Sequence, residues 1–530
     1  MKNTFFVTTP IYYTNGIPHI GHAYSSLIAD SIARYQKING KQVKFSTGVD
    51  ENSQKALDKA EELGMEIMPY LDMMAKEHKQ VWDGLNIKYT DFIRTTEARH
   101  HKLVREVLQK SFDNGDIYEG EYEGMYCVGC ESFKKDEDLV FRNKTTGETF
   151  PISSSVKISE NIEKICPDHL KVPQTLKEKN YFFRLSKYEQ KLKDFYKKNP
   201  SFVMPQDRFN EVIAFTDRGL EDFSISRETN KFGIKLPFDE TQVTYVWYDA
   251  LFNYVTVCDT NDFGKNDSNF WPADLHVVGK DIIRFHAIYW PAMLLSAGYE
   301  LPKNILTTGY FTVDGQKISK SLGNAIDPVE FSAKYSKDLL TLYILSSFNI
   351  GQDGDFDQKQ AILTYNAKLA NNFGNLLNRA VVLTLKMDLE SGLSSKVDKY
   401  IGDNTKKYFK DYDEAFARYD LKKTLDSTFR FLDSVNNYVT TKEPWTLMKD
   451  EAKQEEVKTI MYTICESIRQ VSLNLYPFFP EKMSEVFEAL NLKGYKEELE
   501  LGKYNELRNK KETFYIKEKS PILFEKFELE

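Results

Sequence analysis

The stretch Tyr12-Tyr13-Thr14-Asn15-Gly16-Ile17-Pro18-His19-Ile20-Gly21-His22 decides the fold through what lies on either side of it. Before it, Phe5-Phe6-Val7-Thr8 is a short β-rich run. After it, from Tyr24, the apolar residues Leu27, Ile28, Ile32 and Tyr35 recur at helical spacing until Asn39-Gly40 closes the pattern. Val43-Lys44-Phe45-Ser46 then reads as the next strand. The spacing predicts a strand, a loop from Pro10 to Gly21, a helix and a second strand. Such a βαβ unit implies a parallel sheet with ligands gathered at the carboxyl ends of its strands.

The chain has 530 residues, too many for one core, so several domains are expected. With 41% apolar and 28% charged residues it belongs with folded globular chains, not disordered ones. A net charge of −8 argues against coating nucleic acid indiscriminately, though local patches could still meet one. Five cysteines are too few for a disulfide scaffold, and Cys258 and Cys465 read as buried thiols. The longest near-apolar stretch, Ala287 to Tyr299, is too short to span a bilayer. The N-terminus runs into a strand with no secretory or import leader pattern, so a cytoplasmic address is expected.

Texture divides the rest. Residues 1–115 form the first half of the sheet domain, and 116–230 read as an inserted module. Within the module, Phe141 to Glu160 is polar and reads as a loose, extended excursion. Strand signals return at Val243-Thr244-Tyr245-Val246-Trp247 and His276-Val277-Val278, with a helix from Ile282 to Ser296, so 231–325 is the second half. Residues 326–355 form a linking region, and 356–530 read as helical. There Leu369, Phe373, Leu376 and Ala380 hold one stripe, with similar patterns over Leu421–Val439 and Val457–Leu475. The last 30 residues are charged and weakly patterned. The expected fold class is α/β: a split Rossmann-type parallel sheet, an insertion and a C-terminal α-helical bundle.

Two constellations carry phosphate chemistry. His19 and His22 flank Gly21 where a helix begins, and a helix N-terminus offers free N–H groups and partial positive charge to phosphate. Gly21 would let a nucleotide approach the backbone closely. Far away, Asp314-Gly315 signals a tight turn before Lys317-Ile318-Ser319-Lys320-Ser321, where two lysines make a cationic clamp suited to a polyphosphate leaving group. Taken singly, a loop histidine pair and a solvated basic loop remain the plainer readings. Cys127-Val128-Gly129-Cys130 and Cys166-Pro167-Asp168-His169 have zinc-knuckle spacing, with four soft or borderline donors and no open position, so the metal would be structural. The alternative is a vestigial knuckle, since the two halves stand far apart.

Together, His-Ile-Gly-His at 19–22 and Lys-Ile-Ser-Lys-Ser at 317–321 resemble the paired signatures of class I aminoacyl-tRNA synthetases. Ile318 stands in the usual methionine place and preserves bulk. The chain is similar to the methionyl-tRNA synthetase family over nearly its whole length. Pro10-Ile11-Tyr12-Tyr13-Thr14-Asn15-Gly16, Gly48-Val49-Asp50-Glu51, Tyr245-Val246-Trp247-Tyr248-Asp249-Ala250, Gly279-Lys280-Asp281-Ile282, Phe285-His286 and Trp290-Pro291-Ala292-Met293-Leu294 carry the likeness.

That resemblance implies catalytic His19, His22, Lys317 and Lys320, with Gly21 and Ser319 joining them around ATP. It implies a methionine pocket of Ile11, Tyr13, Trp247, Ala250, Tyr254 and His286, with Asp50 on the substrate ammonium. It implies one structural zinc on Cys127, Cys130, Cys166 and His169, and Mg²⁺ carried by ATP. It also implies anticodon contacts from Asn375, Arg379, Pro444 and Trp445, stacking on and hydrogen-bonding unstacked bases. Without the resemblance, Trp247 and Tyr254 would read as core aromatics, and Asn375 and Arg379 as surface polar groups. The implied partners are L-methionine, ATP and tRNA(Met), with no membrane. A monomer is expected, because no appended oligonucleotide-binding barrel is evident. A class I synthetase for isoleucine, valine or leucine would share both signatures but normally carries a larger insertion. A non-catalytic tRNA-binding relative would be expected to have lost some of the four signature residues.

Overall fold

The computed structural model describes residues 3–127, 132–134, 136–152, 159–167, 170–228, 232–258, 269–313, 315–318, 324, 326–387, 389–519 and 521–529. A six-stranded sheet organises the first part of the chain. Its strands are β1 (Thr4–Tyr13), β2 (Gln42–Asp50), β3 (Asp91–Arg94), β4 (Val203–Met204), β5 (Leu275–Gly279) and β6 (Ile305–Thr308). They lie in the order β4-β6-β5-β1-β2-β3, and every neighbouring pair is parallel. Strand succession reverses between β1 and β5, which makes their carboxyl ends the switch-point crevice where such sheets bind ligands. The sheet is buried on both faces: Phe5 and Val7 of β1 point into one core, and Phe6 into the other.

Helix α1 (Ile20–Ile38) crosses from β1 to β2, as the periodicity predicts. β1 itself runs further than expected, through Pro10 to Tyr13. The pairing with β2 shifts register between Thr8 and Ile11, so the proline falls at an irregularity, where its missing N–H costs no ladder bond. The edge strand β4 comes from inside the 116–230 stretch, so the insertion returns to the sheet before the second half begins.

Two further expectations are corrected. Residues 141–160 are not a loose excursion throughout: Val140–Asn143 pairs antiparallel with Thr149–Pro151 and with Ile162–Ile165 in a three-stranded sheet. Nor does Val243–Trp247 continue as a strand. Only Val243–Thr244 pairs, and the chain turns into a short helix over Val246–Leu251.

From Gln358 to Asn509 the chain is mainly helical, but no helix forms among the described residues of 386–398 or beyond Asn509. Gln358 to Leu385 is one unbroken helical run, α-helical at both ends, with Asn366–Gly374 wound in the wider π form. Leu369, Phe373, Leu376 and Ala380 are all buried, as the stripe predicts. Leu421–Lys442 and Gln454–Leu475 complete the central bundle. The bundle shares one apolar core with the sheet, and Tyr35 of α1 stacks on Phe416 at 3.7 Å between centroids. The charged C-terminal segment packs through isolated anchors: Phe514 pairs with Leu393, and Phe524 lies against Phe373. Cys258 and Cys465 are buried, as expected. No helix among the described residues is long and apolar enough to cross a membrane.

Candidate active site

The histidine pair is built by the start of α1. His19 is the N-cap, and its Nδ1 accepts the Gly21 N–H at 3.1 Å. The His19 N–H donates in turn to His22 Nδ1 at 3.1 Å, closing a reciprocal capping box. With both Nδ1 atoms accepting, each neutral ring carries its proton on Nε2, so each is a hydrogen-bond donor. The rings lie 4.0 Å apart. Gly21 is required locally: a Cβ there would come within 2.9 Å of the His19 ring.

The second signature segment is brought to this helix end. Gln316–Lys317 pairs with Phe311–Val313 in a hairpin whose turn holds Gly315 at φ +70°, in line with the predicted Asp-Gly turn. Ile318 is buried in the same core as Ile20 and Tyr24, and Tyr24 packs on Phe311 at 4.8 Å. Past the segment, the Ile326 carbonyl accepts the Ile20 N–H at 3.2 Å. Ser319 and Lys320 lie outside the described residues, and of Lys317 only the backbone is described.

Across the crevice stands an aromatic wall. Trp247, turned inward by the Val246–Leu251 helix, stacks on Phe285 at 4.0 Å and 5° between planes, with His286 at 6.4 Å. Tyr254 Oη lies 2.8 Å from His286 Nε2, and His286 Nδ1 donates to the Ile282 carbonyl at 2.9 Å. That second bond places the imidazole proton on Nδ1 and makes the tyrosine the donor to Nε2. Burial pushes the His286 pKa down to about 4, so the ring is neutral at pH 7. Ile11 and Trp247 pack on the core that holds Tyr254, while Ala250 is buried and its carbonyl accepts the Asn253 side-chain amide at 2.6 Å. Tyr13 and Asp50 are register partners at the carboxyl ends of β1 and β2, with Asp50 only 4% exposed.

Sequence reasoning missed three supports of this wall. Phe285 backs Trp247; its place directly before His286 was the available signal. His276 of β5 packs on Tyr254 at 4.4 Å and is held by Thr8 of β1 at 2.7 Å. Asn52 links the chain after Asp50 to the tryptophan helix, its amide donating to Asp249 at 3.3 Å and to the Thr95 carbonyl at 3.2 Å. These two join residues remote in sequence, and no local pattern announces them.

Neutral His286 makes a pH prediction. Ligand binding against this wall should keep its affinity from pH 8 to pH 6 and weaken only as pH nears 4, where the protonated ring can no longer accept from Tyr254. The folded pKa lies below the ordinary value, so the stability this group contributes is complete above about pH 6.5 and is lost as pH falls towards the folded pKa. A ligand-affinity titration across that range checks it; an inflection near pH 6.5 would refute it.

In the insertion, Cys127 and Cys166 are both buried and pack in one small cluster with Leu139. The chain after Cys166 reverses tightly: the Cys166 carbonyl accepts Leu170 N–H at 2.8 Å, and Lys171 O accepts Cys166 N–H at 2.9 Å. Two soft thiols in one buried cluster, one from each half of the motif, fit two of the four ligands a zinc knuckle needs. Cys130 and His169 lie outside the described residues, and among the described residues no group of three or more potential ligands forms.

In the bundle, Asn375 and Arg379 are exposed, one turn apart. Arg379 and Trp445 line one open hollow of about 350 Å³ with Asn378, Val382 and Leu383. Asn375 does not line it, and Pro444 is buried at the first position of the short helix that presents Trp445.

A family model described as "tRNA synthetases class I (M)" matches residues 5–381. The chain belongs to this family of class I synthetases. It is 40% identical to a methionine–tRNA ligase of Fusobacterium nucleatum, an alignment covering 100% of this chain and 81% of that one. A methionine–tRNA ligase of Thermotoga maritima is also 40% identical, over 94% of this chain and 77% of its own. Among solved structures, Mycobacterium tuberculosis methionyl-tRNA synthetase in complex with methionyl-adenylate superposes with a TM-score of 0.89 at 32% identity, covering 99% of this chain and 100% of that one.

Proposed function

We propose that this chain is a methionine–tRNA ligase. It activates L-methionine with ATP to methionyl-adenylate and transfers it to the 3′-terminal adenosine of tRNA(Met), for initiation and elongation, in the cytoplasm. One observation carries the reading: the donor histidines follow the carboxyl end of β1, Phe285 and His286 that of β5 and the signature hairpin that of β6, all around the sheet's switch point. The named relatives agree in substrate.

In the first step a methionine carboxylate oxygen attacks the α-phosphorus, and the bond to the pyrophosphate oxygen breaks. The carboxylate is already ionised at pH 7, so no general base is needed, and alignment with charge neutralisation must lower the barrier. His19 and His22 donate from Nε2 to phosphate oxygens, while Lys317 and Lys320 neutralise the departing pyrophosphate, with Mg²⁺ arriving on ATP. Asp50 takes the substrate ammonium. Trp247, Tyr254 and His286 enclose the thioether, a soft group suited to aromatic contact. In the second step a terminal hydroxyl of the tRNA attacks the adenylate carbonyl and AMP leaves.

Residues 1–115 and 231–325 serve as the catalytic halves, 116–230 as the inserted module, 326–355 as the link and 356–530 as the anticodon-binding part. Cys127, Cys130, Cys166 and His169 would hold one zinc, whose part is to cross-link the module. One equivalent of zinc should copurify with protein prepared without chelator, and Cys127→Ala should lose it; metal analysis finding none would end that assignment. The activity is tested by amino-acid-dependent ATP–pyrophosphate exchange. Methionine alone should support it strongly, and preference for isoleucine, valine or leucine would overturn the reading.

A further inference from the structure

The strap Asp353-Gly354-Asp355-Phe356-Asp357 lies between the signature hairpin and the helical run, and its three aspartates do different work. Asp353 Oδ1 accepts the Tyr310 N–H at 2.9 Å, and its Oδ2 pairs with Lys280 Nζ at 2.6 Å, directly after β5. Asp355 Oδ1 accepts the Thr312 hydroxyl at 2.6 Å and the Gly315 N–H at 2.8 Å. Asp357 caps the helical run by accepting the Gln360 N–H at 3.1 Å. The strap backbone adds ladder bonds from Gly354 N–H to Tyr310 O at 2.9 Å and from Phe356 N–H to Thr312 O at 2.8 Å. Phe356 is buried on Phe331 and Tyr343, which pins the strap to the core.

We propose that Asp355 is a positioning residue for Lys317, acting through the hairpin that carries it. Thr312 is the register partner of Lys317, and Gly315 lies in the turn between their strands. A single carboxylate oxygen therefore holds both the supporting strand and the turn. The hairpin needs such help: a two-residue strand on a three-residue strand is too short to be stable alone. Pairing Phe311–Val313 with Gly354–Asp355 makes it a three-stranded sheet fixed to the head of the helical run. Electrostatics points the same way. A carboxylate close to a polyphosphate site opposes anion binding, so this one contributes through its geometry as an acceptor and not through its charge. The inference rests on the proposed role of Lys317 as a pyrophosphate ligand.

The test compares the full-length parent with Asp355→Ala and Asp355→Asn in methionine-dependent pyrophosphate exchange. Asparagine keeps an acceptor oxygen and removes the charge. Asp355→Ala should lower kcat by about ten- to a hundredfold, the size of effect expected when a reacting constellation shifts by about an ångström. Its methionine KM should stay within about twofold of the parent, since no methionine contact is lost. Asp355→Asn should restore the parent kcat and bind pyrophosphate at least as well. An active parent matched by Asp355→Ala overturns the inference, as does equal impairment of both variants or a methionine KM that moves as far as kcat. A parent with no methionine-dependent exchange instead overturns the functional reading and takes this inference with it.

Discussion

Replacing Asp50 by asparagine should raise the methionine KM in pyrophosphate exchange at least thirtyfold while leaving the ATP KM within about threefold. The carboxylate is nearly fully buried at the end of β2, opposite Tyr13. A substrate ammonium brought there exchanges water for one buried opposite charge. Removing one partner of such a pair costs about 2–5 kcal/mol, much of it the penalty of leaving the other charge unmatched, or roughly thirtyfold to several thousandfold in binding. Asparagine preserves shape, so the loss reports charge and not packing. Titration of both substrates against the variant checks it; an unchanged methionine KM would remove Asp50 from the site.

Trp445→Ala should separate the two ends of the molecule. The tryptophan is 41% exposed and shares its hollow with Arg379, far along the helical run from the signature hairpin. Adenylate formation needs no tRNA, so exchange should stay near the parent rate. Aminoacylation should fall: losing one base-stacking contact costs about 1–3 kcal/mol, or roughly tenfold to a hundredfold in kcat/KM for tRNA. Changing the tRNA anticodon away from CAU should cost the parent heavily and the variant less in addition. A variant that charges tRNA as well as the parent would mean that this hollow does not read the anticodon.

The parts legible from sequence were those where a local period and a local signature coincide. The βαβ opening, the Leu369/Phe373/Leu376/Ala380 stripe and the histidine pair at a helix start all meet that condition. Trp247 shows the limit. Val-Thr-Tyr-Val-Trp is β-branched and aromatic, yet nearly all of it is buried, and a short run buried all round carries no period to distinguish strand from helix. Pro10 misled in the other direction, because its cost depends on whether its N–H would face a ladder partner, which register decides. The polar 141–160 stretch hides its sheet because those strands bury few side chains, leaving no alternation to read. Asn52 and His276 were invisible for a different reason: their partners Asp249 and Thr8 are adjacent only after the sheet closes.

The π-wound stretch Asn366–Gly374 controls an angle. Along an α-helix each residue advances the facing direction by about 100°, and a π turn takes up an additional residue without passing that rotation on. Asp357 at the head of the run and Arg379 beyond the stretch therefore keep a fixed azimuth about one axis, on the order of 30 Å apart at α-helical rise. Were the stretch to rewind at α pitch with its length unchanged, Asn375 and Arg379 would swing round by about 100° for each residue absorbed, and Arg379 would leave the hollow it shares with Trp445. The way those two side chains face is stored as a winding number, which no single residue of the run carries by itself.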